Sequence, residues 1–134
     1  MRARPNLVRG WLRKAASDGV ALDAALAAGA FDAACFHAQQ AVEKYLKAVL
    51  IFMEVEFPFT HNLVRLVELV AGHDPSFRSL LPTVEPLTPY AVEARYDLDF
   101  WPTSETAQDA RSAVATVRTF VLSRLSPELG SEVS

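Results

Sequence analysis

The sequence predicts an all-α protein, an antiparallel up-and-down helical bundle of four long-to-medium helices plus short extra helices. Three observations predict it. Apolar residues recur at helical spacing along nearly the whole chain. No stretch sustains the period-two alternation of a half-buried strand, and no hairpin turn separates two apolar runs. Glycine and proline fall between the periodic runs, leaving the short connections that join antiparallel neighbours.

The first helix opens on Pro5, which suits a first helical turn because its missing N–H would have no partner there. Leu7, Val8, Trp11, Leu12 and Ala15 follow at helical spacing. The run continues through Leu26 to a capping Gly29, with a bend expected at Asp18-Gly19. The second helix runs from about Phe31 to Glu54, with Asp32 near its positive end and Pro58 beyond it. Thr60 or Asn62 caps the third, whose apolar face is Leu63, Val64, Leu66, Val67 and Val70 before Gly72. Asp74-Pro75-Ser76 opens a short helix through Leu81, which Pro82 is expected to stop. Two turns fit around Tyr90 to Arg95, then the loop YDLDFWP. The last helix starts at Thr103 or Ser104 and carries Ala107, Ala110, Val114, Val117, Phe120, Val121 and Leu125. The expected organisation is a single domain over residues 1–126 and a disordered tail over 127–134, where apolar content is too low to pack.

A chain of 134 residues buries about two thirds of its unfolded surface and needs neither metal nor disulfide to fold. Cys35 is the single cysteine, so no internal disulfide and no cysteine-rich zinc site forms. The histidines, His37, His61 and His73, lack the paired spacing of a metal site, and the glycines are too isolated for a phosphate loop. The expectation is no metal and no cofactor. With no apolar run long enough to span a membrane and no signal-peptide core, the expected location is cytoplasmic. The net charge of −3 argues against a broad basic nucleic-acid face. Its distribution is uneven: Arg2, Arg4, Arg9, Arg13 and Lys14 open the chain, and Glu85, Glu93, Asp97, Asp99, Glu105 and Asp109 face Arg95 alone later. The two regions suit mutual attraction, attraction to a neighbouring subunit, or plain solvation.

FHAQQAVEKYLKAVLIF, residues 36–52, is apolar almost all round, with small residues that admit neighbouring helices. It is therefore read as the central helix. His37, Gln40, Lys44 and Lys47 project from one stripe of it, and Glu43 stands one turn before Lys47. Such a stripe is a solvated edge, a dimer surface or an anion site.

AQQAVEKYLKAVL, the following Pro58, THNLVRLVELV and ARYD resemble the HEPN domain pattern over about Leu22 to Leu125. The resemblance implies an antiparallel helical bundle that dimerises and is often paired with a minimal nucleotidyltransferase in toxin–antitoxin systems. Other members are metal-independent ribonucleases, built on an arginine followed four to six residues later by histidine. Arginine there stabilises charge on the phosphate and histidine moves protons. This sequence departs from that pattern, because no histidine follows Arg95. Arg95-Tyr96 instead matches the non-catalytic branch, for which nucleotide binding is implied. Tyr96 also lies near the place where related toxins receive adenylate.

The leading expectation is a homodimeric nucleotide- or RNA-binding module working with a nucleotidyltransferase partner. Arg95 and Tyr96 form its centre, with His37, Lys44, Lys47 and His61 as supports and no catalytic residue. One alternative is a metal-independent ribonuclease with a displaced histidine, drawn from His37 or His61. Another is a purely structural dimeric interaction protein. At single residues the bland readings are a locally bonded His61, a salt-bridged Arg95, and Phe100 and Trp101 closing the core.

Overall fold

In the computed structural model, residues 4–125 are described and the chain is a helical bundle. Its elements are α1 (Arg4–Ala28), α2 (Phe31–Phe52), α3 (Leu63–Ala71), α4 (Leu81–Val84), α5 (Tyr90–Tyr96) and α6 (Ser104–Arg124). Turns of 3-10 helix at Pro75–Leu80 and Glu85–Leu87 flank α4. The expected tail over 127–134 lies outside the described residues.

Helix α2 is the centre and packs against α1, α3, α5 and α6. Ala34, Ala38, Ala41 and Ala48 are wholly buried, so neighbouring backbones approach it closely. Val42, Leu46, Val49 and Leu50 complete the core with Val8, Leu12 and Leu22 of α1, Leu66 and Val67 of α3, and Val117 and Val121 of α6. Cys35 is buried in this core, and burial, aided by Asp32, pushes its thiol up to about 11. It is a small apolar residue here rather than a nucleophile.

The helix ends follow from local chemistry. Gly29 has φ +76, its N–H donates to Leu26 and the Ala30 N–H donates to Ala25, a paired closure of α1. Helix α2 ends the same way on Glu54, at φ 58, with bonds from Glu54 to Ile51 and Val55 to Leu50. The side chain of Asn62 accepts from the Arg65 N–H and caps α3, and Thr103 accepts from Thr106 and caps α6.

Three local expectations change. Helix α1 is unbroken through Asp18-Gly19, because the Asp18 carboxylate finds partners on α2 and has no need of a turn. Pro82 does not stop a helix. It sits in the first turn of α4, where its missing N–H costs nothing. Trp101 is 76% exposed and does not close the core, whereas Phe100 is half-buried against Tyr90.

Candidate functional site

The polar stripe of α2 meets two acids, and each gathers its own cluster. Asp18 comes from the middle of α1 and is almost wholly buried. The His37 Nδ1–H donates to one of its oxygens at 2.9 Å, and Lys44 Nζ donates to the other. With the proton on Nδ1, His37 presents Nε2 as an acceptor. Asp18 was missed as a site residue, although Ala15, Asp18 and Leu22 share one helical face and both apolar members are buried. An acid between two core positions is the signal that was available.

Arg95, on α5, reaches the same end of α2 through an aromatic ring. Its guanidinium lies 4.8 Å from the centroid of Phe36 and 4.9 Å from that of Tyr96. Phe36 in turn meets the His37 ring edge-on at 5.2 Å. Arg95 Nε donates to the Ala91 carbonyl one turn back, which fixes the plane of the fork. Among the described residues no carboxylate pairs with it, although Glu93, Asp97 and Asp99 are close in sequence. The salt-bridge reading of Arg95 is thus replaced by an arginine set over two aromatic rings. Tyr96 is 67% exposed, so its ring has a face toward solvent.

The second cluster is buried at Glu43, Lys47 and Gln39 and reaches the surface at His61. Glu43, 3% exposed, accepts from Lys47 Nζ at 2.9 Å, from the His61 Nδ1–H at 2.7 Å and from Gln39 Nε2 at 3.1 Å. Gln39 Nε2 also donates to the His61 carbonyl, and its own oxygen accepts from Gln40. Burial alone would raise the Glu43 carboxyl, but the bonds from Lys47, His61 and Gln39 outweigh it and hold the carboxyl below the usual range. Lys47 lies 5.5 Å from the Trp11 ring and 5.7 Å from the Phe59 ring. His61 therefore bonds across to α2 rather than locally, and it ties the α2–α3 connection to the central helix.

The structure divides the six sequence-predicted site residues accordingly. Arg95, Tyr96, His37 and Lys44 form a connected row through Phe36 and Asp18. Lys47 and His61 are both bonded to Glu43. Beyond Lys44 the row opens into a groove of about 710 Å³ whose lining includes Trp11, Arg13, Lys14 and Ser17. Its charged lining residues are all cations. The arrangement offers an arginine fork, a free aromatic face and a cationic groove, which are the parts needed to hold a phosphate and a base. Among the described residues no three His, Cys, Asp or Glu side chains gather as a metal would require. No described helix is long and apolar enough to cross a membrane.

Comparison with known proteins agrees with this architecture. A family model described as HEPN domain matches residues 8–125. The crystal structure of ST0689, an archaeal HEPN homologue, superposes with a TM-score of 0.68 at 22% identity, covering 85% of this chain and 93% of that one. At that identity the likeness speaks to the fold. No curated protein matches the chain at significance.

Proposed function

The chain belongs to the HEPN domain family, and from that premise we propose that it is a nucleotide- or RNA-binding module. In this reading it works as a homodimer with a partner minimal nucleotidyltransferase, in a toxin–antitoxin-like pair. One observation carries the binding: the Arg95 guanidinium lies 4.8 Å and 4.9 Å from the ring centroids of Phe36 and Tyr96, its Nε bonded to the Ala91 carbonyl, with no described acid to neutralise it. A fork fixed in this way loses little freedom on meeting a phosphate and matches it with two parallel hydrogen bonds. The outer face of Tyr96 then takes a base. Arg13 and Lys14 extend the positive path for further phosphates, Lys44 is held beside them on Asp18, and Lys47 and His61 hold the surrounding backbone through Glu43.

The test is a titration of the purified protein with Mg-ATP and with a short RNA, followed by backbone amide NMR shifts. Saturable shifts are expected at Arg95, Tyr96 and Lys44. Arg95→Ala is expected to weaken binding about tenfold or more, the worth of a charge-assisted hydrogen bond. Unmoved spectra at millimolar ligand would sink the reading and leave a structural interaction protein.

A second reading, a metal-independent ribonuclease with a displaced histidine, has one observation in its favour. His37 and Arg95 contact the same Phe36 ring, and Asp18 holds His37 in the tautomer that leaves Nε2 free as a base. Under this reading pure protein cleaves RNA in the presence of a chelator. Cleavage stops in both Arg95→Ala and His37→Ala. RNA left intact by the wild type would remove the enzyme from consideration.

A further inference from the structure

Between α1 and α6 lies a second recess of about 310 Å³, which shares no lining residue with the groove beside Lys44. Its size is at the lower end of small-molecule sites. Val20, Leu22 and Val114 give it aliphatic walls, and Tyr45, Arg111 and Arg118 bring polar groups to it. Tyr45 is 3% exposed. Burial raises its phenol above the ordinary range in spite of the Arg118 guanidinium beside the hydroxyl. The phenol is therefore a neutral hydrogen-bond donor. Arg111 is occupied, since its Nε donates to Asp23 at 2.7 Å. Arg118 has no carboxylate partner among the described residues.

Gly19 adds an independent observation. It stands in the interior of α1, where glycine costs about 1 kcal/mol relative to alanine. Its backbone needs no left-handed conformation, and a Cβ built on it meets nothing within 4 Å. Neither conformation nor close packing accounts for a glycine here. What its missing side chain does is leave the recess open.

We propose that this recess binds a small aliphatic monocarboxylate, with its carboxylate on the Arg118 guanidinium and the Tyr45 hydroxyl and its hydrocarbon body along Val20 and Val114 beside Gly19. Two arginines against Asp23 leave one net positive charge in the lining, which suits a monoanion better than a phosphate dianion. The guanidinium and the phenol together match the two oxygens of a carboxylate. The aliphatic walls favour an apolar body over a bare inorganic ion.

The full chain titrated with hexanoate, and separately with inorganic phosphate, tests the proposal by amide and arginine side-chain NMR shifts. Hexanoate is expected to give saturable shifts at Gly19, Val114 and Arg118 Nε. Arg118→Gln should weaken binding about tenfold or more. Gly19→Leu keeps every polar group, fills the recess and should weaken binding comparably without lowering the unfolding temperature. That variant carries the test if Arg118→Gln fails to fold. Absent shifts at millimolar hexanoate, shifts that persist in Gly19→Leu, or equal shifts with phosphate (an adventitious anion on Arg118) would each overturn it. So would a dimer that Gly19→Leu dissociates, since a second copy would then cover the recess. The same spectra report Arg95 and Tyr96 separately, so the nucleotide site stands or falls on other signals.

Discussion

Glu43 shows how one side chain can anchor a local structure. It sits on a helix that is buried nearly throughout, and it keeps Lys47, His61 and Gln39 bonded at once. Glu43→Ala would leave the Lys47 ammonium, 6% exposed, without its acid. Removing one partner of a buried pair costs about 3–5 kcal/mol, which urea unfolding measures directly. The pH dependence has a definite sign. A carboxyl held below its unfolded value contributes fully at pH above the ordinary glutamate range. That contribution is lost as pH falls through the depressed native value. Wild-type stability should therefore fall in acid more steeply than that of Glu43→Ala. Equal acid slopes would show that the three bonds do not discriminate the charged form. In the sequence, Glu43 and Lys47 were visible as a favourable helical pair. Their burial was not, because it depends on groups from elsewhere in the chain, His61 against Glu43 and Trp11 beside Lys47.

At the scale of elements, the end of α2 carries a cost that the sequence conceals. Glu54 occupies the left-handed position of the closure, at φ 58, which Gly29 fills without strain at the end of α1. A side chain there costs about 1–2 kcal/mol. The compensating contact, Arg4 with Glu54 at 2.5 Å, is exposed on both sides and is worth little. Glu54→Gly is thus expected to raise stability by about 0.5–1 kcal/mol, read from the thermal midpoint, with glycine's greater unfolded freedom taking back part of the gain. A lower midpoint would mean that the ion pair outweighs the strain. The long helices were legible because periodicity and caps agree: Asn62 and Thr103 cap where side-chain oxygens allow it. The stretch from Pro75 to Leu87 was less so. Proline reads alike as a stop or as a first turn, and only the packing of Phe77, Leu80 and Val84 decides which. Asp18 misled in the opposite direction, since Asp-Gly inside a helix reads as a bend until His37 and Lys44 are brought against it.

For the whole molecule, the net charge of −3 and a phosphate-binding reading pull in opposite directions, and the placement of charge resolves them. Lys44 and Lys47 are each spent on a buried acid, and Arg111 is paired with the exposed Asp23. Arg13, Lys14 and Arg95 have no acid partner among the described residues. These three surround the row that runs from Tyr96 to the groove, so the local field opposes the sign of the total. The bundle was legible because it rests on runs of apolar spacing, and the family because AQQAVEKYLKAVL, THNLVRLVELV and ARYD resemble its pattern. The row was only half legible, because Phe36, which joins its members, carries no sign of function in sequence, and Asp18 shows only as an acid between two core positions. The consequence is quantitative. Three phosphate contacts on a single strand give a slope of roughly −2 in log affinity against log salt. Affinity for a short RNA should then fall roughly twentyfold between about 50 and 200 mM salt, a range measurable by fluorescence anisotropy. Replacing Lys14 by alanine should flatten the slope by about a third. An affinity that ignores salt would place the RNA on apolar surface instead, and the cationic groove would have no part in holding it.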